Sequence, residues 1–223
     1  MADRYTGELW KIQSFVSGFE NNAYLLTCNR TNKSVVIDTP NRPVDLLQAA
    51  RSTNVEAILI THNHWDHLEG FEDVLVATNA PVGIGSADAH ALPVKPQTTI
   101  DVSNGTLLQV GDITLRCITT PGHTVGSTCY MLPSERPGAT PHVFTGDTLF
   151  PGGPGKSGSA DAFRQLVDSI EKQLLSLPGE TVVLPGHGQQ TTIRESQLEF
   201  EVFASGQHRE DLHGDVTWTG DNS

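Results

Sequence analysis

The amino-acid sequence predicts a single α/β domain, and three observations support this prediction. Short apolar runs rich in β-branched residues recur along the chain and indicate buried strands. Residues 160–177 instead place apolar side chains at helical spacing, which indicates an amphipathic helix. The length of 223 residues is sufficient for one sizeable hydrophobic core.

The predicted elements alternate along the chain. Strands are predicted over residues 9–16, 23–27, 34–37, 55–61, 74–77, 81–84, 107–110, 113–119, 127–132, 142–145 and 181–184. Gly111 and Asp112 indicate a hairpin turn between two of these strands. Helices are predicted over 44–52, over 160–177 with Ser159 as N-cap, and from a capping box that begins at Thr192. We expect one domain over residues 1–205 and a polar, loosely held tail over 206–223.

The densest group of chemically active side chains follows the predicted strand 55–61. Residues 62–67 read His-Asn-His-Trp-Asp-His. In an extended chain, residues i and i+2 point to the same side, so His62 and His64 can aim at one point. Asp66 and His67 come after the chain has turned and can aim at a second point nearby. This pattern favours two neighbouring metal ions, although one ion remains an alternative and imidazole does not select the metal.

Three more ligand-type side chains each follow a predicted strand and lie beside glycine. They occur in the segments Pro121-Gly122-His123, Gly146-Asp147 and Pro185-Gly186-His187. Glycine allows the backbone to turn sharply or to approach a metal closely. Each segment is a weak signal alone, but three of them in a chain that also contains residues 62–67 predict a common site.

The order H-x-H-x-D-H, His, Asp, His resembles the metallo-β-lactamase superfamily over residues 35–187. The resemblance implies a four-layer αββα sandwich of two mixed β-sheets flanked by helices, with the metal site on loops at one edge. It implies that one metal ion is held by His62, His64 and His123. The other would be held by Asp66, His67 and His187, with Asp147 bridging the two. Two Zn²⁺ ions are expected, with iron or manganese as alternatives.

Such a centre predicts hydrolysis of an acyl or phosphoryl bond. Two dications lower the pKa of a shared water to roughly 7 and polarise a carbonyl, without a serine or cysteine nucleophile. Asp66 and Asp147 are the candidate catalytic carboxylates. These motifs contain no separate general acid, which favours a leaving group that departs as an anion, such as a thiolate with a pKa of ~8.5.

Residues 145–156, which read Thr-Gly-Asp-Thr-Leu-Phe and later Gly-Pro-Gly-Lys, resemble the glyoxalase II (hydroxyacylglutathione hydrolase) branch. The resemblance implies a small acyl-thiol or ester substrate and makes Lys156 the candidate substrate contact. Ser157-Gly158 replaces aromatic residues of that branch, and about 36 residues follow His187, too few for its C-terminal helical domain. Because of these two differences, the resemblance leaves open whether the thiol carrier is glutathione or a different thiol.

Two alternative functions remain open at this point. Persulfide dioxygenases have similar motifs and bind one iron through residues that correspond to His62, His123 and Asp147. A lactonase or β-lactamase-type hydrolase could use the same site, although a bridging residue such as Asp147 is less typical of β-lactamases. Metal content and oxygen uptake distinguish the dioxygenase from the hydrolases.

Composition makes other classes of function less favourable. The formal net charge is −12 and there is no basic stripe, so a nucleic-acid partner is not expected. No apolar run approaches the ~18 residues of a membrane span, and the first residues do not resemble a secretory signal. The three cysteines lack paired spacing, which predicts a reducing compartment, the cytoplasm. The oligomeric state is open, with a homo-oligomer as one outcome.

Overall fold

Two mixed β-sheets form the centre of the molecule in the computed structural model, which describes residues 2–18, 20–134, 136 and 139–220. Within these residues, the first sheet has seven strands in chain order: β1 (Ala2–Thr6), β2 (Trp10–Ser17), β3 (Asn21–Cys28), β4 (Lys33–Ile37), β5 (Asn54–Leu59), β6 (Val82–Gly83) and β7 (Thr99–Ile100). Strands β1 to β4 are antiparallel, whereas β4 to β7 are parallel.

The second sheet contains six strands among the residues just given, in the spatial order β15-β14-β11-β10-β9-β8. Their bounds are β8 (Leu107–Val110), β9 (Ile113–Thr119), β10 (Thr128–Leu132), β11 (His142–Gly146), β14 (Val182–Pro185) and β15 (Thr191–Thr192). A short pair, β12 (Leu149–Phe150) and β13 (Gly153–Pro154), follows β11. Strands β11 and β14 are parallel, so both end at the same edge.

Helices cover the outer face of each sheet. They are α1 (Val44–Ala50), α2 (Phe71–Thr78), α3 (Ala160–Ser169), which continues as a π-helical turn (Ile170–Leu174), and α4 (Ile193–Ser205). Adjacent residues of a strand face opposite sides, and the core is divided accordingly. Leu26 and Leu59 pack between the sheets, whereas Leu25 and Ile58 pack with α1 and α2. Together with α3 and α4 on the second sheet, this confirms the predicted four-layer sandwich.

The helix boundaries follow the capping residues that the sequence contains. Ser159 accepts a hydrogen bond from the backbone N–H of Ala162 at the start of α3. Thr192 and Glu195 form a reciprocal capping box at the start of α4. These predicted N-termini are confirmed, because each side chain satisfies an N–H group that has no partner within its helix.

One predicted strand, 74–77, is wrong, because these residues belong to α2. The run Val-Leu-Val-Ala is apolar and short, and such a run does not reveal its period. The structure reveals it through burial: Phe71 and Val74, three residues apart, are buried, whereas Val76 is 78% exposed. The neighbouring prediction, 81–84, is reduced to the two residues of β6, which pair with β5.

The prediction that the chain after Ser205 is loosely held is wrong at two residues, Val216 and Trp218. Val216 and Trp218 are 4% and 1% exposed and belong to the core that α3 and α4 form with the second sheet. The backbone N–H of Trp218 donates a hydrogen bond to the carbonyl of Gly152 (2.8 Å). The division into a domain over 1–205 and a tail over 206–223 stays a prediction, although these contacts connect the two parts closely.

Candidate metal centre

The seven predicted ligands lie where strands of the two sheets end. His62 to His67 follow β5, and the last three of these residues form a 3₁₀ turn. His123 follows β9, Asp147 follows β11 and His187 follows β14. The loop with His187 is fixed to β3 of the other sheet, because Asn22 N–H donates to Gly186 O (2.7 Å) and Tyr24 Oη donates to Pro185 O (2.7 Å). The edge of the sandwich therefore brings together residues that are distant in sequence.

The seven side chains fall into two groups, and within each group the potential ligand atoms lie within 4.8 Å of one another. We name them the first group, which consists of His62, His64, His123 and Asp147, and the second group, which consists of Asp66, His67 and His187. These are the sets that the resemblance implies for two metal ions. The structure brings all of them together, and their role as ligands stays a prediction.

Asp147 lies between the two groups. Its Oδ1 is 3.4 Å from His67 Nε2, and its Oδ2 is 3.7 Å from His123 Nε2 and 3.6 Å from His187 Nε2. The carboxylate thus has one oxygen near the second group and one near both groups. This is the position that a bridging ligand requires.

The first group is oriented by uncharged partners. His123 Nδ1–H donates to the backbone carbonyl of Lys156 (2.7 Å), so its Nε2 is directed at His64 Nδ1, 2.8 Å away. The Thr61 hydroxyl donates to Asp38 Oδ2 (2.7 Å), which leaves its oxygen to accept from His62 Nδ1–H (3.0 Å). Such partners fix the tautomer, and the other ring nitrogen keeps its lone pair for a metal.

The second group is oriented by a buried carboxylate and an amide. His67 Nδ1–H donates to Asp38 Oδ2 (3.0 Å), and Asp38 also accepts from the Thr61 backbone N–H (2.8 Å). Asn21 Nδ2 donates to Asp66 Oδ2 (2.9 Å). The same carboxylate oxygen lies 3.1 Å from His187 Nε2, which in turn is 3.2 Å from His67 Nε2. Three potential ligand atoms therefore converge on one point.

The environment lowers the pKa of His62 and His64 in the first group and raises the pKa of His67 in the second. Burial, with a smaller effect of the neighbouring imidazoles, lowers the pKa of His62 well below its usual value. Burial also lowers the pKa of His64. Burial would lower the pKa of His67 too, but the Asp38 and Asp147 carboxylates outweigh it and raise this pKa to about 10. Burial would raise the pKa of Asp147, but His67 and the other nearby imidazoles lower it far below its usual range.

The residues fit divalent metal ions for two reasons. His62 Nε2 and Asp147 Oδ1 are buried and have no hydrogen-bond partner among the described residues, which is rare for buried polar atoms. Imidazole nitrogens and carboxylate oxygens also face each other at short distances, as the ligands of zinc or iron do. The backbone makes room for this arrangement at Gly186, where a Cβ atom would lie 2.3 Å from Asp147 Oδ1.

Three supporting residues were not predicted from the sequence: Asn21, Asp38 and Asp88. Asp88 is 1% exposed and accepts from the Asn63 N–H, the Gly126 N–H and the Thr124 hydroxyl. It thereby connects the loop of the first histidines to the loop of His123. A lone Asp or Asn has no sequence pattern that reveals such a contact. The position of Asp38 directly after β4, at the same edge as His62, is the only signal of this kind.

Lys156 lies beside the first group, although its side chain is not part of it. Its backbone carbonyl holds His123, while the side chain is exposed. Lys156, His123, Asp147 and Phe150 line a cavity of about 320 Å³. The side chain can therefore reach a ligand in this cavity, which keeps the predicted substrate contact open.

The fold and the site together define a class of protein. Its members are four-layer αββα sandwiches with a candidate dinuclear metal centre at one edge. The chain belongs to the Metallo-beta-lactamase superfamily, which its sequence matches over residues 16–187. In the described part of the chain, no helix has the length and apolar character needed to cross a membrane.

Comparisons with individual proteins support this assignment. A probable hydroxyacylglutathione hydrolase of Schizosaccharomyces pombe is 34% identical over 173 residues, which are 75% of this chain and 63% of that protein. The chain thus spans less than two thirds of the length of this relative. The probable polyketide biosynthesis zinc-dependent hydrolase BaeB of Bacillus velezensis is 28% identical and covers 82% of this chain and 80% of its own length. The similarity to hydroxyacylglutathione hydrolases confirms the resemblance to the glyoxalase II branch.

A solved structure is similar over nearly the whole chain. The metallo-beta-lactamase of Staphylococcus aureus superposes with a TM-score of 0.78 at 25% sequence identity. The match covers 92% of this chain and 65% of that protein. It supports the four-layer fold, including the strands that carry the two groups.

Proposed function

We propose that this protein is a dinuclear metal hydrolase that cleaves thioesters of small thiols, such as S-lactoylglutathione. The observation that carries the proposal is the position of Asp147, whose two oxygens lie within 3.4–3.7 Å of His67, His123 and His187. A carboxylate shared in this way suits two ions better than one. The names of two relatives, a hydroxyacylglutathione hydrolase and a zinc-dependent hydrolase, support the same reaction class and metal.

In this proposal, the first group holds one ion, the second group holds the other, and Asp147 binds both. When bound, two Zn²⁺ ions supply a water of lowered pKa as nucleophile and a Lewis acid for the carbonyl. The protein keeps Asp66 in the protonation state that a metal ligand requires. Burial would raise the pKa of Asp66, but the hydrogen bond from Asn21 and the nearby His67 and His187 lower it, so the carboxylate is ionised at neutral pH.

The need to protonate the leaving group favours a thioester over an amide as the substrate. All seven titratable side chains of the two groups serve as ligands in this proposal, and none remains to protonate a leaving nitrogen. A thiolate needs no such proton, because thiols have a pKa of ~8.5. Lys156 lines the cavity next to His123 and Asp147, where its ammonium group would bind a carboxylate of the thiol carrier.

The test combines elemental analysis with a substrate panel. We expect two zinc equivalents per chain and turnover of S-lactoylglutathione or another thioester in preference to homoserine lactones, nitrocefin and glutathione persulfide. His123→Ala should abolish turnover, while His90→Ala, which changes an exposed histidine outside both groups, should not. One iron per chain with oxygen consumption on the persulfide would contradict the proposal and favour the dioxygenase.

We also propose the cytoplasm as the location of this reaction. The cysteines Cys28, Cys117 and Cys129 are buried and free, which suits a reducing compartment. Separation of the cell fractions, followed by detection of the protein in each fraction with an antibody, would test this location. The expected absence of a nucleic-acid partner and the oligomeric state stay predictions.

A further inference from the structure

The C-terminal segment of residues 214–218 is attached to the glycine-rich loop that contains Lys156. Gly214 and Ser157 exchange two backbone hydrogen bonds, each 3.1 Å long. Four residues further on, the Trp218 N–H donates to Gly152 O (2.8 Å). Val216 and Trp218 are buried in the core beside α3 and α4. The segment is therefore held at both ends and lies along the loop.

This segment forms part of the cavity beside the metal centre. The cavity of about 320 Å³ is lined by His123 and Asp147 of the first group, by Lys156, and by Asp215 to Thr217 of the segment. Val216 and Trp218 are buried, whereas Asp215 is exposed and lines the cavity. A ligand that reaches the metal centre through this cavity passes both Lys156 and Asp215.

Besides Asp147, two charged side chains of opposite sign line this cavity, Lys156 and Asp215. Among the described residues, neither the Lys156 ammonium nor the Asp215 carboxylate forms an ion pair or a hydrogen bond. Two unpaired charges of opposite sign on one small cavity are complementary to a ligand that carries both signs.

We propose that Asp215 is a specificity-determining residue of the substrate site, and that it binds an ammonium group of the thiol carrier. This inference rests on the proposed thioester hydrolysis. It names the carrier class as a zwitterionic, amino-acid-derived thiol, with its carboxylate at Lys156. It disfavours polyanionic thiols such as those with several phosphates, because Asp215 and a net charge of −12 repel them.

The first test measures binding without turnover. S-methylglutathione cannot be hydrolysed, and its N-acetyl derivative lacks only the ammonium charge. By calorimetry, the zinc-loaded protein should bind the unmodified compound about three- to fivefold more tightly than the N-acetyl derivative, the range of a partly exposed ion pair. Asp215→Asn should bind both compounds equally. Glu201→Gln, which removes an exposed charge of α4 away from the cavity, should keep the difference. Equal affinity of the wild type for both compounds would refute the proposal.

The second test separates this inference from the proposed function. Asp215→Asn should raise the KM for S-lactoylglutathione about three- to fivefold and leave kcat unchanged. The KM for the uncharged S-lactoyl-N-acetylcysteamine should stay the same. If both thioesters are hydrolysed and neither KM changes, the role of Asp215 is wrong while the hydrolase proposal stands. If binding discriminates but no thioester is hydrolysed, the hydrolase proposal is wrong while the ammonium site stands.

Discussion

The two groups of the proposed metal centre have the same types of side chain but are supported differently. In the first group, His123 is oriented by a backbone carbonyl and His62 by the Thr61 hydroxyl. In the second group, His67 donates directly to the Asp38 carboxylate. Burial keeps His62 neutral, and its uncharged support does not oppose this, whereas the carboxylates keep the metal-free His67 protonated, with a pKa raised to about 10.

This difference indicates that the groups accept a cation in different ways. The first group offers neutral imidazoles whose second nitrogen is already satisfied, so a metal ion displaces no proton from His62. The second group has to release the proton of His67 before this imidazole can bind a metal. In return, a histidine bound to a carboxylate is a stronger donor once it is deprotonated. We expect the first group to be occupied at lower free zinc concentration.

The largest effect is expected for the residue that joins the two groups. Asp147→Ala should lower kcat/KM by at least about a thousandfold and zinc content from two equivalents to one or fewer, since both ions lose a ligand. His187→Ala is the matched comparison, because it removes a ligand of the second group only and should keep one equivalent. Circular dichroism should show that both variants are folded. Retention of two equivalents by Asp147→Ala would contradict the bridging role.

A smaller effect is expected when the support of the second group is changed. In Asp38→Asn, an amide faces His67 Nδ1 and favours the tautomer with a proton on Nε2, the nitrogen that should bind the metal. The affinity for the second zinc ion should fall about ten- to a hundredfold. Competition with a zinc chelator of known affinity measures this change.

Asp88→Asn provides the control for that substitution. Asp88 is as deeply buried as Asp38, but it accepts only from Asn63, Thr124 and Gly126, none of which is a predicted ligand. The amide should destabilise the fold by about 1–3 kcal/mol, because a buried N–H loses its acceptor. The affinity for zinc should change less than threefold. An equal loss of affinity in both variants would show that Asp38 acts through general stability.

The side chains of both groups are easier to predict from the sequence than their supports, and the reason is physical. Each ligand follows a strand and stands next to glycine or in the compact run 62–67, and these are local patterns. Asp38 acts on His67, 29 residues away, and Asp88 acts on Gly126, 38 residues away. Their contacts depend on how the sheets are placed, which no local pattern reports.

The same distinction explains the errors in the fold. The strands of the sandwich core were predicted because their apolar runs are continuous, as expected for strands buried on both faces. Residues 74–77 are equally apolar, but their partner is α1 and the outer face of the first sheet rather than a strand. Trp218 lies in a polar segment, and its burial depends on the surface that α3 and α4 leave uncovered.

The pH dependence of stability should expose the proton on His67. Its folded pKa, about 10, is above the unfolded value of 6.5, so its contribution is complete below pH 6.5 and is lost as pH rises toward 10. The metal-free protein should therefore lose up to about 1.4 kcal/mol of unfolding free energy for each pH unit between 6.5 and 8.5. Urea unfolding in the presence of a chelator measures this slope.

Two controls define the origin of this slope. His62, with a lowered pKa, contributes no slope above pH 6.5, and the buried Cys117 and Cys129 contribute only above their usual value of 9.0. Asp38→Asn removes the main attraction for the proton and should flatten the slope, as should saturating zinc. A slope that zinc does not change would place the titrating group outside the second group.

The smallest effect is expected at Lys156, whose backbone and side chain act separately. Its carbonyl orients His123 whatever the side chain is, so Lys156→Ala should leave kcat and zinc content nearly unchanged. The loss of the ammonium group should raise KM for S-lactoylglutathione about three- to tenfold, a free-energy change of about 0.6–1.4 kcal/mol. Lys172→Ala, at an exposed pair on the π-helical turn, should change neither constant. An unchanged KM in Lys156→Ala would remove the side chain from the substrate site but keep its carbonyl as the support of the first group.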